Sequence, residues 1–184
     1  MSPNLDKEKL AIEGGKPIKT TPAIPMFPGG LEIGEEEKQA VLEVLDNKYL
    51  FRYYGPGEYP SRVKMLEEEF SGKIGVKHSL AVNSCTSALI TALVAVGVGP
   101  GDEVIVPGYT FFASCAAILA AKAIPVIAEV DNSLTIDPVD LEKKITPQTK
   151  AVIPVHMRGV PCNMERILSI TKKHNLKVVE DVAQ

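Results

Sequence analysis

No long apolar run, no basic stripe and no metal-like set of cysteines occurs in this 184-residue chain, and each absence removes a class of function. The most apolar stretch, around 113–128, is interrupted by Lys122 and Pro125, whereas a membrane-spanning helix needs about 20 predominantly apolar residues. The amino-terminal Met1-Ser2-Pro3-Asn4-Leu5-Asp6-Lys7 lacks the apolar segment of a secretory signal. Neither a signal peptide nor a membrane partner is expected. Twenty basic residues against 23 acidic ones give a net charge of −3, and no Lys/Arg cluster forms a face that could neutralise a phosphate backbone. Nucleic acid is therefore not an expected partner. The three cysteines, Cys85, Cys115 and Cys162, are an odd count without metal-ligand spacing. They read as reduced thiols of a cytoplasmic protein, with no metal site. Neither a GxGxxG fingerprint nor a Walker A sequence is present, so dinucleotide and ATP sites are not expected.

What remains is an ordinary globular composition, 45% hydrophobic and 23% charged, in a chain long enough for one domain with a sizeable core. The first thirty residues carry Gly14-Gly15, Pro17, Pro22, Pro25, Pro28 and Gly29-Gly30. They read as an extended arm over 1–34 with little regular structure, followed by one α/β domain over 35–184. Ala40, Val41, Val44 and Leu45 recur at helical spacing and predict an amphipathic helix over 35–46. An aromatic loop at 49–59 follows. Ser61 is placed to cap a second helix whose inner face is Val63, Leu66 and Phe70.

From His78 onward short apolar runs at 79–82, 103–106, 125–129, 151–155 and 177–180 alternate with helical patterns at 86–96, 112–122, 138–145 and 164–174. The runs are continuous rather than alternating, as expected when both faces of a sheet are covered by helices. A three-layer α/β/α domain with a mostly parallel sheet is predicted. Turn chemistry agrees: 97–102 is a Gly/Pro/Asp-rich turn, and Asp137-Pro138 places proline in a first helical turn.

In such sheets ligands gather outside the carboxyl ends of the strands, so the residues there are the candidates for chemistry. Asn83-Ser84-Cys85-Thr86-Ser87 marks a strand-to-helix transition whose free N–H groups and hydroxyls suit a phosphate. Plain capping by Ser84 or Thr86 competes with that reading. Pro107-Gly108-Tyr109-Thr110-Phe111-Phe112 follows the next strand. One of its phenylalanines could cover a planar ring while the other joins the core. His156 ends a further strand beside Arg158, whereas His78 and His174 read as structural. Asp181, three residues before Gln184, could keep a cofactor's pyridine nitrogen protonated. Glu180, on the other side of that strand, reads as a structural hydrogen-bond partner.

A phosphate cradle, an aromatic platform, a histidine and an Asp-x-x-Gln, in that order, resemble the large domain of fold type I pyridoxal-phosphate (PLP) enzymes, and specifically the DegT/StrS family of sugar aminotransferases. The likeness spans about 10–184 and rests on Ala11-Ile12-Glu13-Gly14-Gly15-Lys16-Pro17, on Gly99-Pro100-Gly101-Asp102-Glu103-Val104-Ile105-Val106-Pro107 followed by Thr110-Phe111, on 145–156, and on Glu180-Asp181-Val182-Ala183-Gln184. The resemblance implies that Cys85 and Thr86 bind the cofactor phosphate and that Phe111 stacks on the pyridine ring. It also implies that Asp181 pairs with the ring nitrogen, that Gln184 approaches the phenolic oxygen, and that His156 lies near the substrate. The loop at 51–59 would border the site near the partner subunit of a homodimer.

Two departures accompany the likeness. Cys85 stands where the family most often has glycine, which a small side chain tolerates if φ stays negative. The family's Schiff-base lysine follows the Asp-x-x-Gln strand, and neither Lys122 nor Lys150 matches it, so the chain reads as a truncated large domain, incomplete for catalysis. The implied activity is transfer of an amino group from glutamate or glutamine to a keto group of a nucleotide-linked sugar or cyclitol. The alternatives are a non-catalytic fragment or scaffold, or a sugar dehydratase of the same family with histidine in the lysine's place.

Overall fold

A computed structural model of the protein describes residues 9–22 and 28–184. Met1 to Lys7, read above for a targeting signal, and Pro25 of the expected arm lie outside the described residues. The chain separates into two compact units, Met1–Met65 and Leu66–Gln184.

The first unit holds a 3-10 turn at Ala11–Glu13, a short helix α1 (Pro28–Leu31) and the amphipathic helix α2 (Glu35–Asn47). The Glu37 carboxylate accepts the Gly34 N–H at 2.7 Å, and Glu35, Glu36 and Glu37 occupy the first turn of α2, where the helix dipole favours negative charge. In the 49–59 loop the Phe51 ring meets Tyr54 edge-on at 4.8 Å between centroids, and the Arg52 guanidinium lies 5.4 Å from the Tyr53 ring centre. Helix α3 (Arg62–Ile74) follows Ser61, whose hydroxyl accepts the Lys64 N–H at 3.4 Å, as its capping position predicts. Its expected inner face is open instead, with Leu66 and Phe70 exposed.

The second unit is the alternating α/β layer structure. Its elements in order are α4 (Cys85–Ala95), β1 (Glu103–Pro107), α5 (Ala113–Ala120), β2 (Ile124–Ala128), α6 (Pro138–Lys143), β3 (Thr149–Val152), a 3-10 turn (Met157–Gly159), α7 (Met164–Lys173) and β4 (Lys177–Val178). The strands form one parallel sheet in the order β2-β1-β3-β4. Beyond β3 and β4 the chains stay together through a parallel bridge between Val155 and Asp181.

Side-chain alternation along the strands assigns each residue to one of two cores. Val104, Val106, Ala151, Ile153, Val155 and Val179 pack with Leu89 and Leu93 of α4 and Ala117 and Ile118 of α5. Ile105 and Val152 point the other way, toward Leu141 of α6 and Ile167 and Ile170 of α7. That two-sided burial accounts for the continuous apolar runs of the sequence. Helix α4 ends at Ala95, and the chain turns out of it at Gly97, where φ is +87°, with Val98 N–H reaching back to the Leu93 carbonyl at 3.0 Å. A Cβ there would disfavour the left-handed cap that turns the chain into β1. No described helix is long and apolar enough to cross a membrane.

One expected strand is absent from the sheet. Residues 79–82 pair with none of the four strands; the Ala81 N–H goes instead to the Glu67 carboxylate of α3 at 2.7 Å, and Ser79 Oγ accepts from Ser71 Oγ at 2.7 Å. An apolar run becomes a strand only where a neighbouring backbone completes its ladder.

The packing predicts a contrast. Ile118→Ala, at a fully buried position, should cost about 2–5 kcal/mol, whereas Leu168→Ala, on the exposed side of α7, should change stability by less than about 0.5 kcal/mol. Urea midpoints of the two variants measure both, and equal shifts would contradict the layer assignment.

Candidate active site

The carboxyl edge of the sheet collects the residues that follow β1, β3 and β4 together with the first turns of α4 and α5. Strand alternation divides this edge. Asp181 lies two residues after Val179 and so belongs to the α4/α5 side, while Glu180 and His156 belong to the α6/α7 side.

On the α4/α5 side Asp181 is buried, with 5% exposure. Its Oδ2 accepts the Ser114 hydroxyl at 2.8 Å, and its Oδ1 accepts the Ala183 N–H at 3.2 Å. Thr110 Oγ1 lies 2.8 Å from Ser114 Oγ. At the start of α4, Ser84 is the capping residue: its Oγ accepts the Ser87 N–H at 3.1 Å and donates to Ser87 Oγ at 3.0 Å. The competing readings of this turn thus separate. Ser84 caps, which leaves the Thr86 hydroxyl and the first-turn N–H groups of Cys85 and Thr86 available to a ligand. Cys85 is not among the non-glycine residues with positive φ, so its side chain is tolerated where the family most often has glycine. Desolvation, followed by the nearby negative charge of Asp181, raises the pKa of the Cys85 thiol. That electrostatic influence ties the α4 turn to the Asp181 strand end.

Phe111 and Phe112 follow β1, with ring centres 4.5 Å apart and planes tilted by 55°. Both are exposed, at 63% and 70%, so the expectation that one joins the core is corrected. Their ring contact is with each other, while Ala117 and Ile118 of α5 belong to the core.

On the α6/α7 side the His156 ring has both nitrogens engaged. Nδ1 accepts the Cys162 N–H at 3.0 Å, which leaves Nε2 to carry the proton toward Glu180 Oε2 at 2.9 Å. Glu180 therefore makes the hydrogen bond its strand position suggested. Gln184 meets the 3-10 turn: its Oε1 accepts the Arg158 N–H at 2.6 Å, a contact made possible by the left-handed backbone of Arg158 at φ 54°. That bond engages the amide oxygen and leaves the Gln184 NH2 as the side chain's donor end. Lys122 lies just before β2 and Lys150 is the second residue of β3, so both belong to the amino edge, away from these groups.

Ser114 is absent from the sequence motifs, and Thr110 enters them only beside Phe111, without a role of its own. The available signal was a hydroxyl inside the otherwise apolar Ala-Ser-Cys-Ala-Ala-Ile-Leu-Ala of α5, since a buried hydroxyl requires a partner.

A model of the DegT/DnrJ/EryC1/StrS aminotransferase family matches residues 31–184. The chain belongs to this family. It is 48% identical over 152 residues to the spore coat polysaccharide biosynthesis protein SpsC of Bacillus subtilis, covering 82% of this chain and 37% of SpsC. It is 42% identical over 149 residues to the GDP-perosamine synthase of Caulobacter vibrioides, covering 80% and 38%. Among solved structures, DesV of S. venezuelae superimposes with a TM-score of 0.77 at 37% identity, covering 89% of this chain and 43% of DesV. The chain spans 33–41% of the length of such curated relatives. Its fold is the α/β fold type I of PLP-dependent aminotransferases.

The charge coupling across the site is testable. A raised thiol pKa means less thiolate at a given pH and slower alkylation. Asp181→Asn removes one of the two causes, so iodoacetamide should modify Cys85 faster at pH 8, as followed by peptide mapping. An unchanged Cys85 rate would separate the α4 turn from Asp181.

Proposed function

We propose that this chain forms the cofactor-binding part of a PLP-dependent aminotransferase that moves an amino group from glutamate or glutamine to a keto group of a nucleotide-linked sugar or cyclitol. The observation that carries the reading is the buried Asp181 carboxylate, held by two donors at the carboxyl edge, beside a helix start with unclaimed N–H groups. The names of relatives such as GDP-perosamine synthase and dTDP-3-amino-3,4,6-trideoxy-alpha-D-glucose transaminase support the substrate class.

The residues present fit pyridoxal phosphate. Cys85 and Thr86 offer N–H groups and the Thr86 hydroxyl to the phosphate at the positive end of an 11-residue helix. Phe111 supplies an exposed aromatic face for the ring. When bound, the cofactor supplies a protonated pyridine ring that takes up the electron density left at a carbon losing its proton. Asp181 keeps the ring-nitrogen proton in place, because an ionised carboxylate in a poorly solvated position favours an adjacent cation. Gln184, with its carbonyl committed to Arg158, turns its NH2 toward the phenolic oxygen. His156 and Glu180 hold each other on the substrate side of the strand ends.

In the same reading the protein works in the cytoplasm as a homodimer, with the 51–59 loop bordering a site shared between subunits and the Schiff-base lysine lying beyond the Asp-x-x-Gln strand. The test begins with cofactor binding. Pyridoxamine 5'-phosphate should bind, and Asp181→Ala should weaken it by about tenfold or more, as expected for loss of a charge-assisted contact. Thr86→Val should weaken it too, and should leave the affinity for phosphate-free pyridoxamine unchanged. Calorimetric titration measures each affinity, and equal binding by all three proteins would overturn the assignment.

A further inference from the structure

The row of hydroxyls behind Asp181 has a direction. Ser114 is fully buried and its single hydroxyl proton goes to Asp181 Oδ2 at 2.8 Å. A serine oxygen that has given its proton away can only accept from another partner. The 2.8 Å contact with Thr110 Oγ1 is therefore donated by Thr110. The two hydroxyls form a one-way row, Thr110 to Ser114 to Asp181, that ends on the carboxylate. With Ala183 N–H on the other oxygen, both Asp181 oxygens have a donor and the plane of the carboxylate is set.

We propose that Ser114, supported by Thr110, is a positioning residue that fixes the Asp181 carboxylate for a protonated ring nitrogen. The inference rests on the PLP reading above and assigns roles to Ser114, which lies outside the motif set, and to Thr110, which the motif contains without a role. Each carboxylate oxygen can accept more than one hydrogen bond, so the donors already present restrict rotation while a lone pair remains for the ring N–H. Thr110 and Ser114 are placed for this by the end of β1: the chain leaves the strand at Pro107, and Ser114 is the second residue of α5, on the sheet face that Asp181 shares.

A role exerted through Asp181 differs measurably from a structural one when two ligands are compared. The probes are pyridoxamine 5'-phosphate and its 1-deaza analogue, in which carbon replaces the ring nitrogen, each titrated calorimetrically against the unmodified protein, Ser114→Ala and Thr110→Val. Ser114→Ala should weaken pyridoxamine 5'-phosphate by about tenfold and change the deaza analogue by less than about twofold, because only the first ligand uses the carboxylate. Thr110→Val, which removes the outer hydroxyl at nearly constant shape, should act in the same direction with a smaller factor. It also decides the matter if Ser114→Ala fails to fold. Equal losses for both probes, or no loss for pyridoxamine 5'-phosphate, would overturn the positioning role while leaving cofactor binding standing. Failure of the unmodified protein to bind either probe overturns the PLP reading and the positioning role with it.

Discussion

Two-sided burial of a parallel sheet is the constraint from which the rest of this structure follows. Helices α4 and α5 cover one face and α6 and α7 the other, so each buried residue of β1 and β3 belongs to one core or the other. Alternation then continues past the last ladder hydrogen bonds into the strand ends. Glu180 and Asp181 are adjacent carboxylates with different surroundings because a one-residue step reverses the face. Asp181 is buried beside Ser114, whereas Glu180 is exposed and meets His156.

Depth matters as much as face. The parallel bridge between Val155 and Asp181, with Asp181 N–H on the Pro154 carbonyl and His156 N–H on the Asp181 carbonyl, sets how far Asp181 stands beyond the sheet. A carboxylate carried below the surface in this way loses hydration and needs donors in exchange. Ser114 and Ala183 provide them. The Asp181 environment is thus a product of three connections, the β1-to-α5 turn, the register of the strand ends, and the turn at 181–184.

The same logic explains the division between the α4 turn and the aromatic pair. Ser84 closes the helix start by capping, so the hydroxyl of Thr86 and the first N–H groups remain for a ligand. Phe111 and Phe112 stay exposed after β1, while Ala117 and Ile118 of α5 enter the core. In the DegT/StrS family to which the chain belongs, this combination of a helix start, an exposed aromatic and a buried acid suits a planar, phosphorylated cofactor.

Local pattern was enough to determine the alternation of strands and helices from β1 to β4 and the capping position at Ser61, and it narrowed the cap of α4 to Ser84 or Thr86, between which the structure selects Ser84. Apolar periodicity, turn residues and strand ends are properties of short windows, and a window of sequence carries them. Tertiary structure alone decided the rest. The 79–82 run is as apolar as the other strand segments, yet its backbone finds Glu67 rather than a neighbouring strand, because a ladder depends on a second segment. Nothing near Phe111 and Phe112 in sequence reveals that both rings stay exposed. Ser114 becomes part of the site only because a residue 67 positions away is brought to 2.8 Å from it, a pairing set by the sheet order β2-β1-β3-β4 and invisible in any local pattern.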